Sequence, residues 1–291
     1  MENTTAKVSC FARAYHYKNN QAHIFADSAA EAILGDDYQR IAESMGQGIH
    51  FFFPGFQGTK EEGLRMIVDQ QLSPSVLGRS AYSEKMLENE MRLGCKQYLV
   101  FAAGYDTFAI RHCDTTLAVY ELDLPEMLDD KRKRIMNAGL ISCAVDVPCS
   151  LASAEWADEL LKKGYRKQEK TFGSLLGISY YLSKSEFRDL ISAVGRIFAQ
   201  GSAICFDVPS ENESRETKIN QALARGAGEQ MKALYSYREL ESLLDECGFR
   251  IYEHLDHQAM TEQYFSDYNS HTPDHPIAAP EGVSYILAVR A

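Results

Sequence analysis

Three short polar stretches stand where apolar runs of this chain stop. The first is Ala102-Ala103-Gly104-Tyr105-Asp106-Thr107, after the run Tyr98–Ala103. An apolar run that turns through a glycine into a helix offers a ligand backbone N–H groups and an edge without a side chain. The second is Glu121-Leu122-Asp123, closing Leu117–Leu122, with Asp123 nineteen residues past Gly104. An acidic residue at about that separation suits a ribose diol, because one carboxylate accepts two hydrogen bonds. The third is Asp146-Val147, closing Ile141–Val147, where a carboxylate and backbone can hold an adenine edge. Each alone is ordinary turn or cap chemistry. In this order and spacing, the three describe a site for one nucleoside.

Other chemically suggestive groups have plainer readings. Lys131-Arg132-Lys133-Arg134 follows Glu126, Asp129 and Asp130 on one expected helix, so pairing on a solvated face accounts for it. His254, Asp256 and His257, and His271 with Asp274 and His275, lack H-E-x-x-H or any other metal-ligand spacing; no metal is expected. The chain has no G-x-S-x-G elbow and no G-x-x-x-x-G-K-[ST] loop.

The elements that must position the strand-end groups are legible as alternation. Apolar runs at Tyr98–Ala103, Leu117–Leu122, Ile141–Val147, Phe172–Ile178, Ala203–Val208, Phe249–Leu255 and Val283–Val289 are punctuated by helical stretches. Leu124, Leu128 and Ile135 share one face of a helix opened by Pro125 and ended by Gly139. Ser183 with Glu186, and Ser236 with Glu239, form capping boxes. Phe187, Leu190, Ile191 and Val194 then follow helical spacing, as do Leu240, Leu243, Leu244 and Cys247, with Gly195 and Gly248 as the expected stops. Near-continuous apolar strands joined by helices imply a parallel sheet covered on both faces, an α/β doubly wound fold. The expected organisation is a single domain over 1–291, with a helical N-terminal cover at 1–94 and the α/β core at 95–291. Within the core, the polar insertion 209–235 follows the fifth strand and is expected to act as a lid over the strand ends.

Composition sets the outer limits. With 291 residues, 45% hydrophobic and 24% charged, the chain has ample material for a large core. A net charge of −11 gives no general attraction to phosphate backbones, so nucleic acid is not an expected partner. No run reaches the ~20 apolar residues that span a bilayer, and the first residues lack the apolar stretch of a signal peptide. No membrane association and a cytoplasmic location are expected. The seven cysteines are scattered without a C-x-x-C, which fits reduced thiols. No feature specifies an oligomeric state.

These residues resemble the class I S-adenosyl-L-methionine (SAM)-dependent methyltransferases of the leucine carboxyl methyltransferase family, a group that includes the tetracenomycin-type polyketide O-methyltransferases. AAGYDTFAIR is close to the family's GAG-x-DT followed by Arg, and YELDLPEMLDDKR to its E-V-D-x-P with Lys downstream. AVDV with Trp156 after it, GISYYLSKSE against E-G-x-x-x-YL, and YSYRELESLLDECGF extend the likeness from Arg79 to Phe249. The resemblance implies SAM as cofactor and a seven-stranded, mostly parallel Rossmann-like sheet, with an antiparallel terminal strand at Val283–Val289 inserted beside Phe249–Leu255. It implies that Arg79 binds the methionine carboxylate with Arg13 assisting, and that Ala103 and Gly104 pass close to the cofactor. It also implies that Asp123 grips the ribose with Leu124 beside it, and that Asp146 and Val147 adjoin the adenine. Three positions depart from the family pattern: Ala102 replaces its first glycine, Phe108 stands where many members carry Arg, and Leu176 precedes Gly177 where the family places an acidic residue.

The expected activity is methyl transfer to an oxygen of a small organic acceptor, aromatic, polyketide-like or carboxylate-bearing. The sulfonium already makes the methyl electrophilic, so the protein must supply in-line placement and exclusion of water. A carboxylate acceptor needs no general base; an alcohol or phenol benefits from one, for which His16 or a lid tyrosine is the candidate. Tyr15, Tyr17, Phe51, Phe52, Phe53 and Tyr235 fall outside the expected core elements and are candidates to line the acceptor pocket. Two alternatives differ in class. A nicotinamide-dependent Rossmann oxidoreductase would carry G-x-G-x-x-G, which residues 102–107 lack. A catalytically silent SAM-binding protein is the other, and Leu176 is the feature that keeps it open.

Overall fold

The computed structural model describes residues 4–153, 155–211 and 232–291. Among the described residues six α-helices precede the sheet, α1 (Thr4–Asn19), α2 (Ala30–Leu34), α3 (Asp36–Gln47), α4 (Ile49–Phe52), α5 (Lys60–Ile67) and α6 (Ser73–Arg92), the last two joined by a π-helical turn at Val68–Leu72. Then come β1 (Gln97–Phe101), α7 (Phe108–Arg111), β2 (Ala118–Asp123), α8 (Pro125–Asn137), β3 (Val145–Pro148), α9 (Trp156–Lys162) and β4 (Thr171–Leu175). They are followed by α10 (Lys184–Ile197), β5 (Ala203–Pro209), α11 (Tyr237–Glu246), β6 (Phe249–Leu255), α12 (His257–Met260), α13 (Ser266–His271) and β7 (Val283–Arg290).

The seven strands form one sheet in the order β3-β2-β1-β4-β5-β7-β6. β1 to β5 pair in parallel, whereas β7 lies between β5 and β6 and runs antiparallel to both. This is the α/β doubly wound sheet expected from the apolar runs, with Val283–Val289 as its antiparallel strand. Residues of the central strands alternate between two cores although all are buried. Leu99 and Phe101 of β1 join Leu122, Trp156, Ile191 and Phe206 on one face. Tyr98 and Val100 join Leu77, Tyr82, Phe172 and Tyr285 on the other. A third cluster, with Phe11, Ile33 and Val68, holds the N-terminal helices together. Strand order reverses between β1 and β4, so the ligand crevice of such a sheet lies beyond their carboxyl ends.

Both capping boxes form: Ser183 and Ser236 accept from the N–H groups of Glu186 and Glu239, whose carboxylates reach back. Local expectations give way in three places. The third strand pairs only from Val145, because β2 offers partners from Tyr120 onward; Cys143 N–H bonds the Ala109 carbonyl instead, and Ile141 is 77% exposed. Gly195 does not end α10, which runs on to Ile197. A Cβ there would come within 2.6 Å of the Cys247 carbonyl oxygen, so the glycine serves close packing against the α11–β6 corner. The basic run is not all on a solvated face, since Lys131 is buried and pairs with Glu121 at 2.5 Å.

All seven cysteines are free thiols. Among the described residues no helix is long and apolar enough to cross a membrane. The lid expected at 209–235 falls mostly on 212–231, outside the described residues. Its two ends do meet: Ser210 bridges Tyr235, and Tyr235 N–H bonds the Pro209 carbonyl at 3.0 Å.

Candidate functional site

Beyond the carboxyl ends of β1, β2 and β4, closed on one side by α1 and α6, lies a cavity of about 410 Å³. β1 enters it through Ala102 and Gly104, both left-handed, with φ of 51° and 50°. Ala102 is the one non-glycine residue with positive φ among those described. The turn is tied to the next strand through Asp123. Its Oδ2 accepts from Gly104 N–H at 2.7 Å, and its Oδ1 from Leu124 N–H at 2.7 Å. Burial raises the Asp123 carboxyl above the usual carboxylate range, against the pull of those two N–H groups. Ala103, Gly104, Asp123 and Leu124 thus share one cavity wall.

Two guanidinium groups also line the cavity. Arg13 of α1 lines the cavity, but its fork is largely committed. Nε donates to Asp27 at 2.8 Å, Nη2 to the Tyr105 carbonyl at 2.7 Å, and Nη1 to the Ser9 carbonyl at 3.4 Å. Asp27, wholly buried, also faces Arg111 Nε at 3.5 Å, and Arg111 is paired with Glu84. Burial pushes the Glu84 carboxyl up to about 7, against the pull of Arg111. Arg79 of α6 is less encumbered, with Nη2 3.3 Å from Ser9 Oγ and Nη1 3.7 Å from Asp207 Oδ2. Gly177 makes room for it, since a Cβ there would lie 2.5 Å from Arg79 Nη1. Leu176, at the family's acidic position, lines the cavity with its apolar side chain. A carboxylate nevertheless reaches this turn from the next strand: Asp207 Oδ1 accepts from Gly177 N–H at 2.7 Å, and Oδ2 from Tyr180 O–H at 2.9 Å.

Not every candidate is gathered here. Val147 is buried in the core, Asp146 is held by Arg132 at 2.5 Å, and neither lines the cavity. Glu121, neighbour of Asp123 in sequence, points into the protein and pairs with Lys131. The structure corrects the reading of His16 as a base. Its Nε2 accepts from Ile24 N–H at 3.0 Å, and burial, then His23, pushes it down to about 3. Nor do the N-terminal aromatics line this cavity: Tyr15 packs on Phe11, Tyr17 stacks on His23, and Phe51 and Phe52 contact one another. Asp256 caps α12 and His254 bonds Ser284 Oγ at 3.0 Å. With Tyr235, both line a wider depression of about 690 Å³ together with Ser210 and Glu211.

A second cavity of about 240 Å³ adjoins the first across Thr5, Ser9, Arg79, Gly177 and Tyr181. Its further walls include Val8, Leu72, Val76, Tyr180 and Val283, largely apolar and aromatic, with Gln71, Ser75 and Glu281 as their polar part. Spacing along the sequence did not single out Asp27, Tyr180 or Asp207. For Asp207 a signal existed: a lone carboxylate inside the apolar run Ala203–Val208 needs a buried partner.

A carboxylate beside a glycine turn, two guanidinium groups and apolar side chains around one cavity are the surroundings that the ribose, the methionine carboxylate and the adenine of SAM need. The fold is found in solved structures. A DUF574 family protein from Streptomyces avermitilis has a TM-score of 0.61 at 12% identity, over 99% of this chain and 97% of that one. Magnesium protoporphyrin IX methyltransferase from Synechocystis, solved with bound SAH, has a TM-score of 0.50 at 10% identity, over 90% of this chain and 100% of that one. The Bacillus subtilis (strain 168) protein YktD, classed among SAM-dependent methyltransferases, is 35% identical over 98% of this chain and 97% of its own. A Mycobacterium marinum protein of the same class is 25% identical over 87% and 85%. The class is therefore SAM-dependent methyltransferase. Within it, the chain belongs to the leucine carboxyl methyltransferase family, whose profile matches residues 6–195.

Proposed function

We propose that the protein methylates an oxygen of a small organic acceptor seated in the second cavity, with SAM lying along the first. The observation that carries this reading is the adjacency of the two cavities. One is walled by two carboxylates, Asp106 and Asp123, and two guanidinium groups, the other is largely apolar, and they meet at Arg79 and Gly177. In this reading Asp123 accepts from the ribose hydroxyls, Arg79 holds the methionine carboxylate, and the Ala103–Gly104 backbone and Leu124 flank the nucleoside. Arg13 acts by bracing α1 against Tyr105, with one edge of its fork left for the same carboxylate. Asp146 and Val147, on β3 beside β2 and outside the cavity lining, would adjoin the adenine only if it extends past β2. SAM supplies an electrophilic methyl group, and the chain's part is to orient the acceptor and keep water out.

Calorimetry with S-adenosylhomocysteine tests the cofactor assignments. Asp123→Ala removes charge-assisted hydrogen bonds of about 1.5–3 kcal/mol and should weaken binding by roughly 10- to 150-fold. Arg79→Ala should weaken S-adenosylhomocysteine more than adenosine, which lacks the carboxylate; equal losses would remove Arg79 from the site. A SAM-binding protein without turnover is the second reading, favoured by Leu176 in the cavity wall. Methyl transfer to any small acceptor excludes it.

A further inference from the structure

We infer that Tyr180, backed by Asp207, takes the proton from the methyl acceptor, and that the acceptor is accordingly a small molecule bearing a free alcohol or phenol hydroxyl; this rests on the methyl-transfer reading above. Tyr180 stands in the wall of the smaller cavity, next to Tyr181 and Gly177, where that cavity opens into the larger one. Its hydroxyl donates to Asp207 Oδ2 at 2.9 Å. A phenol that spends its proton in this way keeps its oxygen lone pairs for a donor in the cavity.

Asp207 is wholly buried on β5. Facing it are Gly177 N–H at 2.7 Å from the turn after β4, Arg79 Nη1 at 3.7 Å from α6, and Tyr285, its register partner on β7. A carboxylate so placed can receive a proton only through a neighbour; Gly177, Arg79 and Tyr180 all stand in the cavity wall, and of these three Tyr180 carries the hydroxyl that can give one proton to Asp207 and take another. Burial and the nearby Asp207 carboxylate raise the Tyr180 phenol well above its ordinary value, so it works as a relay and not as a standing phenolate. In the pattern E-G-x-x-x-YL the family tyrosine falls on Tyr181, and Tyr180 occupies a free position. The pair is thus a feature of this chain's own residues.

The step balances without a further reactant. The acceptor O–H proton passes to Tyr180 Oη while the Tyr180 proton passes to Asp207 Oδ2. The acceptor oxygen forms the new O–C bond, the methyl–sulfur bond breaks, and its electron pair stays on sulfur, which loses its positive charge. Asp207 then returns its proton to solvent by the same route as the products leave. A carboxylate acceptor, already ionised at neutral pH, has no proton for this relay and would bring a second negative charge beside Asp207.

The test uses the full chain with labelled SAM and three probes: 2-naphthol, 4-nitrophenol and 2-naphthoate. At mildly alkaline pH 2-naphthol keeps its proton, whereas 4-nitrophenol is largely ionised. Tyr180→Phe should lower transfer to 2-naphthol by about 100-fold or more, the usual weight of a general base, and transfer to 4-nitrophenol far less. Asp207→Asn should reproduce the split. A binding readout stands beside it: with S-adenosylhomocysteine present, 2-naphthol should bind about fivefold tighter than naphthalene, a difference Tyr180→Phe abolishes. Equal loss on both phenols makes Tyr180 structural and overturns the relay. Transfer to 2-naphthoate alone, or to no probe while S-adenosylhomocysteine still binds, overturns the hydroxyl class. Failure to bind S-adenosylhomocysteine at all strikes instead at the cofactor reading beneath it.

Discussion

At Ala102 the chain holds a left-handed backbone, φ 51°, which costs an L-residue about 1–2 kcal/mol. Glycine escapes that cost but gives back about 0.5–1 kcal/mol in the entropy of the unfolded chain. Ala102→Gly should therefore stabilise the protein by about 0.5–1 kcal/mol, and Ala102→Val should destabilise it, as read from urea midpoints. A second residue effect concerns acid. His16 is buried, and its folded value of about 3 lies below the ordinary 6.5. The unfolded chain therefore binds the proton first as pH falls. His16 supports stability above about pH 6.5, and that support is withdrawn progressively between about 6.5 and 3, by up to about 1.4 kcal/mol per pH unit. The thermal midpoint should drop on acidification from pH 7 to 5, and His16→Gln should flatten that slope. An unchanged slope would mean that other groups set the acid limit.

Among the elements, α1 is held in part by a buried charge pair. It is fastened to the strand-end turn by Arg13, whose partner Asp27 also faces Arg111. Asp27→Ala leaves two largely buried guanidinium groups without their shared carboxylate, a loss of about 3–5 kcal/mol. The expected outcome is a lower urea midpoint together with weaker S-adenosylhomocysteine binding, because α1 walls the cavity; an unchanged midpoint would show that α1 is held by its apolar contacts alone. This dependence also marks the limit of what could be read beforehand. Strand and helix positions follow from periodicity and caps, which are local, and the turns at Gly104 and Asp123 follow from where those runs stop. The pairing of Arg13 with Asp27, or of Tyr180 with Asp207, joins different elements across the fold and has no counterpart in spacing. His16 was misjudged for the same reason, since its neighbour Ile24 comes from the loop that folds back over α1. The resemblance to a family carried Arg79 to the cavity; no periodicity would have done so.

For the whole molecule, the two adjoining cavities and two of the three cores share one sheet, so the site and the stability of the fold are hard to separate. Gly177 and Asp207 sit on neighbouring strand ends, and α6 brings Arg79 between them while burying Leu77 and Tyr82 against the same sheet. Substitutions that loosen α6 will register in ligand binding before they unfold the chain.

The placement of β7 has a consequence for how the protein is made. It is the last of the seven strands to be synthesised, yet both of its edges are covered, one by β5 and the other by β6. While the ribosome is still translating toward residue 283, β5 and β6 each present an unpaired edge, and such edges invite pairing with other nascent chains. Completion of the sheet is therefore a late event that waits on eight residues, Val283–Arg290. A chain stopped at Gly282 should stall in this half-closed state, and it should be recovered as aggregate or bound to chaperone. Adding a synthetic peptide of residues 283–291 during refolding should restore soluble protein. Soluble, S-adenosylhomocysteine-binding protein from the shortened chain alone would mean that the five parallel strands close on their own.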